Sequence, residues 1–536
     1  YSSSLPDMGP MGNGWGHNLN SGIDVNGCGW VTVSTGEGGS ARFYPDGQGY
    51  RPANGYHGTL VRNSQLSDEQ LEGDDLTVGM PTFDFYAKDG TRYHFIAQDT
   101  RGSWFSEQLQ QKLSFIEDTN GNRLSFSYNQ FGMVTSVADG AGRHIVLEYD
   151  ERRNRRFRVS PVGSSLNIQF TKGDYLITRA YGPLSANDFS TDEQGNPELN
   201  DGVVPFYHYR YDYDRWGNLE SVKRVLSGSV TNPYISEKLV NESVHQSLDD
   251  DDSQQDSSNP LNQWLGAHSD NETDDDDDDD EPNATETTIT LERFSYRKGQ
   301  GGEIDRFYLK SATNANDQTT ELYYDSLWMG LVDDNGTIIS ALPREGVDGI
   351  DLPAQGHAGF TYNKTAMQQR TDTDVSVDDA GITTRYELNR YGGVTREENA
   401  SGDAIVTTWN LAHAAIESRT DRRGITTVYG YDDHGNVISE TVTDNDGNSY
   451  ITASKYYTPF GPASAIKNRL EWRKDTNQHT TDYTYDGKGN LTHIEAPEVE
   501  VDGQTTRPTT VYHYLANGDM EWMRDPNEHT TNYTYD

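Results

Sequence analysis

A short motif recurs through the chain and constrains the fold more than any other feature. Three copies align as DRRGITTVYGYDDHGNV from Asp421, DTNQHTTDYTYDGKGNL from Asp475 and DPNEHTTNYTYD from Asp525. Weaker copies begin at Asp118, Asp139 and Asp378, and partial copies at Tyr207 and Asn316. A unit of about twenty to thirty residues is too short to bury a core alone, so each copy must stack on its neighbours.

Each unit predicts one β-hairpin. Aspartate, asparagine and glycine at both ends of the motif favour tight turns. Between the turns, Thr481 to Tyr485 alternates polar and aromatic residues, which places Tyr483 and Tyr485 on one face of a strand. A return strand is expected from Leu491. We therefore predict an all-β fold, a long, curled antiparallel sheet built of stacked hairpins.

The composition agrees with a β-rich protein and excludes several function classes. The chain holds 33 Tyr, 16 Phe and 9 Trp, which is unlike a disordered chain. Its formal net charge of -42 opposes binding to nucleic acid. No apolar run is long enough for a membrane-spanning helix. The only cysteine, Cys28, allows no disulfide within the chain and is expected to be a small buried thiol.

The motif YxYDxxGNL resembles the YD repeats of the Rhs family. That family includes bacterial Rhs polymorphic toxins, the BC component of Tc toxins and the teneurin ectodomain. The segments GNGWGHNLNSGIDV from Gly12, ARFYPDGQGY from Ala41 and FDFYAKDGTRYHF from Phe83 resemble the region that precedes the repeats in bacterial members. The resemblance implies a spiralling β-sheet that closes into a hollow shell.

Four regions are expected along the chain. Residues 1–115 would form a β-rich N-terminal capping region, and residues 116–230 the first YD-like repeats. Residues 231–290 would be an acidic, mobile insertion on the outside of the shell, since they include seven consecutive aspartates. Residues 291–536 would form the YD-repeat sheet. The first residue looks like the edge of a mature or excised fragment, and the last lies in mid-repeat, so an open sheet edge that associates is expected.

The resemblance implies a shell segment that encapsulates a toxin or effector and helps to deliver it. No catalytic motif is found, so the chain is not expected to be an enzyme, and a polysaccharide lyase is the less favoured third class. The expected partners are a C-terminal cargo domain of the same parent chain or a secretion apparatus, and the expected location is secreted or on a bacterial-type cell surface. The alternative is an extracellular adhesion scaffold that binds carbohydrate, including cell-surface glycans, through its tyrosines.

The candidate site residues follow from the repeats. The tyrosines expected to line one face of the wall, and to contact cargo or glycan, are Tyr211, Tyr213, Tyr429, Tyr431, Tyr483, Tyr485, Tyr533 and Tyr535. The residues expected to form the repeat turns are Gly217, Asn218, Gly435, Asn436, Gly489 and Asn490.

Metal and anion sites are weak candidates. No cofactor is expected, and Asp444 and Asp446 are only a partial Ca²⁺ loop, because D-x-D-G is also an ordinary turn. His479 and His529 occupy equivalent repeat positions, where a metal pair is less favoured than a turn-flanking role. Five arginines between Arg152 and Arg158 are expected to pair with carboxylates, with an anion site as the alternative.

Overall fold

The computed structural model gives an all-β chain. It describes residues 8–9, 12–13, 19, 21–25, 29–34, 40–47, 49–63, 81–98, 110–130, 132–152, 156–162, 165–171, 174–213, 218–226, 287–298, 307–332, 338–353, 356–362, 373–379, 382–389, 391–458, 464–501 and 503–535. Forty-one strands and no helix occur in these ranges. Accordingly, no helix among these residues could cross a membrane. Cys28, Gly217 and most of the acidic region lie outside the described residues.

A small barrel forms the N-terminal part of the main sheet. Its eight strands pair in the order β7-β8-β9-β10-β3-β4-β5-β6, and β6 lies against β7. A separate two-stranded hairpin precedes it. The strands are β1 (Met8–Gly9), β2 (Gly12–Asn13), β3 (Gly22–Val25), β4 (Val31–Ser34), β5 (Ser40–Asp46), β6 (Gly49–Pro52), β7 (Thr59–Asn63), β8 (Thr82–Tyr86), β9 (Arg92–Gln98) and β10 (Gln110–Glu117).

The barrel has a packed hydrophobic core. Alternate side chains along each strand point inward, as the period of two requires. The buried set is Ile23, Val31, Val33, Ala41, Phe43, Leu60, Phe83, Phe85, Phe95 and Leu113. Phe43, Phe95 and Leu113 are entirely shielded from solvent. A barrel of eight strands is just wide enough for its own side chains, so this one has a filled interior.

Strand β10 belongs both to the barrel and to the rest of the sheet. Gln111 and Lys112 pair with β3 inside the barrel. From Phe115 to Glu117 the same strand pairs with the next one, β11 (Arg123–Tyr128). A β-bulge between Leu113 and Phe115 separates the two halves. Bulges bend a strand and increase its twist. Here the bulge lies where β10 passes from the barrel into the rest of the sheet.

From β11 onward the main sheet continues by antiparallel pairing. Two short hairpins, β14–β15 and β17–β18, are not part of that sheet. The strands of this stretch are β12 (Val134–Ala138), β13 (His144–Arg152), β14 (Arg156–Val162), β15 (Ser165–Thr171), β16 (Asp174–Leu184), β17 (Phe189–Thr191), β18 (Pro197–Leu199), β19 (Tyr207–Tyr213) and β20 (Leu219–Leu226). Strands β12, β13, β16 and β19 carry a second apolar cluster around Val137, Leu147 and Ile177.

The remaining strands extend the main sheet one after another. They are β21 (Thr287–Lys298), β22 (Phe307–Asn314), β23 (Thr319–Val332), β24 (Ile338–Leu352), β25 (Gly356–Tyr362), β26 (Thr373–Asp379), β27 (Ile382–Leu388), β28 (Val394–Glu398), β29 (Ala404–Asn410), β30 (Ala415–Thr420), β31 (Thr426–Tyr431), β32 (Val437–Thr443), β33 (Ser449–Tyr456), β34 (Leu470–Lys474), β35 (Thr480–Tyr485), β36 (Leu491–Glu495), β37 (Val499–Val501), β38 (Gln504–Thr506), β39 (Thr509–Tyr514), β40 (Met520–Arg524) and β41 (Thr530–Asn532). Of these, β37 and β38 form a hairpin outside the main sheet. This is the long antiparallel sheet that the repeats predict, and that prediction of fold class is confirmed.

Candidate functional site

The repeat turns share one hydrogen-bonding pattern, seen clearly at Asp432. The amide of Asp432 donates to the carbonyl of Asn436, and the amide of Gly435 donates back to the carbonyl of Asp432. The aspartate Oδ1 accepts from the amides of His434 and Asn436 at 2.9 and 2.8 Å. Its Oδ2 accepts from Nδ2 of Asn436 at 2.9 Å. The aspartate and the asparagine of the motif therefore hold the turn from opposite ends.

The same Oδ1 interaction recurs along the chain. The turns in which an aspartate at the first position makes this interaction start at Asp118, Asp139, Asp192, Asp421, Asp444, Asp475, Asp486 and Asp525. Asparagine takes the role at residues 314, 389 and 399. Hydrogen bonds to a carboxylate favour its charged form, so the pKa of Asp421, Asp444, Asp475 and Asp525 is lowered.

The second tyrosine of the motif ties each hairpin to the strand before it. Oη of Tyr431 donates to the carbonyl of Ile416 at 2.5 Å, and Oη of Tyr535 donates to the carbonyl of Met520 at 2.8 Å. A β-bulge occurs at the same place in the repeat, where Tyr431 pairs with Val437 and the register skips one residue. Equivalent bonds, each to a carbonyl fifteen residues earlier, are made by Tyr128, Tyr149 and Trp409.

The predicted tyrosines differ widely in exposure. Tyr213 is 5% exposed, and its hydroxyl donates to the carbonyl of Ile177. Tyr533 and Tyr535 are 40% and 53% exposed. The other five, which are Tyr211, Tyr429, Tyr431, Tyr483 and Tyr485, are half-buried. Burial raises the pKa of Tyr211, Tyr431 and Tyr485, so these hydroxyls stay protonated near neutral pH and act as hydrogen-bond donors or acceptors only.

The structure brings distant turns together along one line, which we call the turn seam. On its N-terminal side are the turns at residues 53–58, 87–91 and 118–122. On its C-terminal side are the turns at residues 411–414, 432–436, 464–468, 486–490 and 515–519. The residues that meet are more than 300 positions apart in the sequence.

Three contacts of the turn seam join the barrel to the turns after β29, β31 and β33. The amide of Gly55 donates to the carbonyl of Ala412 at 2.8 Å. Nζ of Lys88 donates to the carbonyl of Gly435 at 2.8 Å. The carbonyl of Lys88 in turn accepts from Nδ2 of Asn468 at 3.1 Å. Burial lowers the pKa of Lys88, and the nearby charge of Asp432 partly offsets that effect.

Two further contacts use the asparagines of the motif. Nδ2 of Asn490 donates to Oδ1 of Asn120 at 2.9 Å, and Nδ2 of Asn122 donates to the carbonyl of Asn517 at 2.7 Å. Asn490 also donates to Oδ2 of Asp486 in its own turn. One side-chain amide thus stabilises its own turn and binds the turn opposite.

Two predicted turn glycines, Gly435 and Gly489, lie at the turn seam with positive φ of 70° and 83°. A β-carbon on Gly435 would lie 2.2 Å from Nε2 of His57, and one on Gly489 would lie 2.4 Å from the carbonyl oxygen of Ala465. Predicted turn residue Asn218, after β19, is fully buried. The sequence indicated the turns but not the turn seam, because nothing local indicates which turns meet. A repeated asparagine at the last turn position was the available signal.

The weak metal and anion candidates have other partners or lie outside the described residues. The carboxylate of Asp444 accepts hydrogen bonds within its own hairpin from Asp446, Asn448 and Tyr450, and Asp446 is exposed. His479 and His529 each lie beside the aspartate of their own turn, at 3.4 and 3.3 Å. Among the described side chains, no three His, Cys, Asp or Glu residues converge as metal ligands would. Of the arginine run, Arg153 and Arg155 are not described.

A buried carboxylate on the barrel also has a complete set of partners. Asp84 is 5% exposed, and it accepts hydrogen bonds from Arg92 and Asn63 and contacts Nδ1 of His94 at 2.8 Å. Burial alone would raise the pKa of Asp84, but these hydrogen bonds outweigh it and hold the pKa well below its usual range. This cluster stabilises β7, β8 and β9 against one another.

Comparison with known proteins gives similarity to solved structures only. No family model and no curated protein matches the chain. The Tc holotoxin pore of Photorhabdus luminescens is similar over 92% of this chain and 25% of that chain, with 12% identity and a TM-score of 0.27. The complex TcdB2-TccC3-Cdc42 is similar over 94% of this chain and 26% of that chain, with 11% identity and a TM-score of 0.27. This chain therefore spans about a quarter of each of those chains.

Proposed function

We propose that this chain is a non-catalytic wall segment of a hollow shell that encloses a guest polypeptide. The observation that carries the proposal is the turn seam. A sheet that grows strand by strand from the barrel returns to the barrel, so that Asn490 binds Asn120. A flat or steadily extending sheet would keep those two turns far apart.

The size of the ring supports an open interior. Roughly twenty of the described strands separate the two sides of the turn seam, and strands lie about 4.8 Å apart, which gives a perimeter on the order of 100 Å. The corresponding width is on the order of 30 Å, well above that of an eight-stranded barrel, whose interior is filled by side chains. Such a ring has room for an unfolded chain, whereas the barrel at its start does not.

The repeat residues are engaged in structure, which supports a role without catalysis. The turn aspartates accept hydrogen bonds from their own turns, and tyrosines such as Tyr431 donate to backbone carbonyls. We propose that the guest is a C-terminal toxin or effector of the same parent chain and that the shell is secreted or displayed at the cell surface. The acidic charge of -42 suits a protein kept soluble in such surroundings.

Small-angle X-ray scattering on the purified chain tests the proposal. A hollow ring predicts a pair-distance distribution that is skewed to long distances, and a low density at the centre of the reconstructed envelope. A long open ribbon would contradict the closed wall. Protease digestion of the parent protein adds the second half of the test, because an enclosed guest survives digestion until the turn seam is broken by Asn120→Ala with Asn490→Ala. A guest that is cleaved equally fast in both proteins, together with binding on a glycan array, would favour the adhesion scaffold instead.

A further inference from the structure

Two histidines face each other across the turn seam. His57, in the loop between β6 and β7, stacks on His413 in the turn between β29 and β30, with ring centroids 5.3 Å apart and planes inclined by 25°. The adjacent amide of Gly55 donates to the carbonyl of Ala412, which fixes the two loops at this distance. The ring of Tyr431 also lies beside His413, with ring centroids 5.5 Å apart. We call this pair the histidine latch.

The surroundings of the histidine latch favour the neutral form of both rings. Nε2 of His57 and Nδ1 of His413 are shielded from solvent and have no hydrogen-bond partner among the described residues. A neutral imidazole can leave one nitrogen as an unused acceptor at modest cost, but a protonated ring must place a charged N–H there. Burying such a donor without an acceptor is costly, and two charged rings at 5.3 Å would also repel each other.

On balance, the surroundings of His57 also lower its pKa and so favour the neutral ring. The groups that the neighbouring turns bring toward His57 are the ammonium of Lys88, the ring of His413 and the carboxylate of Asp432. Burial, then Lys88 and His413, lower the pKa of His57, while a hydrogen bond to the backbone of His413 and the carboxylate of Asp432 act against them. The other ionisable side chains of these turns are Tyr56, Asp89, Asp433 and His434, of which Asp89 and Asp433 are exposed.

We infer that the histidine latch is an acid-labile closure, which holds the turn seam shut when both rings are neutral and parts it when they are protonated. This goes beyond enclosure itself, and it needs only the contact between the barrel and the repeat turns. Mildly acidic solution would therefore open the wall at one defined place. The turn aspartates do not compete in this range, because a lowered pKa keeps Asp421, Asp444 and Asp475 charged well below pH 5.

The direction and size of the effect follow from linkage. Because closure lowers the pKa of His57, closure is fully favoured above the ordinary histidine value of about 6.5 and weakens as pH falls below it. For one histidine that remains neutral in the closed state, the open-to-closed ratio rises about tenfold between pH 7.5 and pH 5.5.

Hydrogen–deuterium exchange of the purified chain at pH 7.5 and pH 5.5, corrected for the intrinsic pH dependence of exchange, measures this ratio. We expect protection at residues 53–58 and 411–414 to fall about tenfold at the lower pH, from the protonation of His57. The turn at residues 444–448 is the control, since a β-carbon added to its Gly447 would meet no neighbouring atom within 4 Å. If protection at residues 53–58 and 411–414 is the same at pH 7.5 as at pH 5.5, the inference is wrong.

A paired variant and a direct titration keep the test decisive. The double variant His57→Phe with His413→Phe keeps two stacked rings but cannot be protonated, so its protection should be the same at both pH values. If that variant fails to fold, histidine C2–H exchange of the wild-type chain, read by mass spectrometry, gives the pKa of each ring directly. A pKa for His57 at or above that of exposed His529 would refute the latch, and a lower one would support it.

Discussion

Nδ2 of Asn490 donates a hydrogen bond of 2.9 Å to Oδ1 of Asn120, a residue 370 positions earlier in the chain. The same amide also donates to Oδ2 of Asp486 within its own turn. Asn448 makes the equivalent bond to Asp444 without a contact of this kind to the described part of the barrel. The two asparagines are therefore a matched pair, because both bind their own turn and only Asn490 also forms a hydrogen bond across the turn seam.

Replacing Asn490 should weaken the turn seam, and replacing Asn448 should not. We expect Asn490→Ala to lower the free energy of unfolding by about 1 kcal/mol more than Asn448→Ala, which is the usual contribution of one hydrogen bond. Chemical denaturation measures the difference, and hydrogen exchange at residues 118–122 locates it. Equal destabilisation by the two variants would show that the bond to Asn120 contributes nothing.

Gly435→Ala should be more harmful than Gly447→Ala. Both glycines have positive φ, 70° and 83°, so each alanine bears a strain of about 1 kcal/mol. Only at residue 435 does the added β-carbon meet a neighbour, Nε2 of His57, which must move. We expect an extra loss of about 1–3 kcal/mol there, typical of overpacking. Thermal denaturation of the two variants checks this, and indistinguishable melting temperatures would contradict the close approach of the two turns.

Tyr431→Phe tests the tie between neighbouring hairpins. Phenylalanine keeps the ring but removes the hydroxyl that donates to the carbonyl of Ile416. We expect a loss of about 1 kcal/mol and faster amide exchange in β30. Tyr429→Phe, two residues earlier on the same strand, is the control and should change stability less. A larger effect from Tyr429→Phe would mean that the tie is not the main role of the second tyrosine.

Acid should weaken the repeat turns through their aspartates. The pKa of Asp475 and Asp525 is lowered because each carboxylate accepts backbone hydrogen bonds from its own turn. Their contribution is complete above the ordinary aspartate value of about 3.9 and is lost as pH falls through the lowered values. In the double variant Asp475→Asn with Asp525→Asn, the amide oxygens can still accept, as Asn399 does in its turn.

We therefore expect the double variant to melt near the wild-type temperature at pH 7 and to lose less of its melting temperature between pH 5 and pH 3. Thermal melts monitored by circular dichroism at several pH values provide the comparison. Asp433→Asn is the control, since Asp433 is exposed and is not the acceptor residue of its turn. An acid dependence unchanged by the double variant would place the acid-sensitive groups elsewhere.

The fold could be predicted from the sequence because each hairpin is specified locally. The turn at Asp486 and the strand from Thr480 to Tyr485 are determined by residues within one motif, and the structure has both. The turn seam could not be predicted in this way, since the pairing of Lys88 with Gly435 depends on how far the whole sheet twists and curves. Those quantities accumulate over many strands, and no single motif encodes them.

The tyrosine side chains show the same limit of prediction from the sequence. Alternation predicts that Tyr429 and Tyr431 share a face of one strand, and burial and then the nearby Tyr429 raise the pKa of Tyr431. It does not indicate that the hydroxyl of Tyr431 has a fixed backbone partner. That partner depends on a β-bulge at Tyr431, and a bulge alters the register without a distinct sequence signal of its own.

One edge of β10 pairs first with β3 and then with β11, and this has an evolutionary consequence. The described strands after it pair only with their immediate neighbours in the sheet, so duplication or deletion of one whole hairpin would keep the other strand pairings but change which turns meet at the turn seam. Strand β10 has no such freedom, because Gln111 must reach β3 while Phe115 reaches β11. Gene duplication can therefore lengthen or shorten the sheet, while β10 must keep the length that lets it reach both β3 and β11.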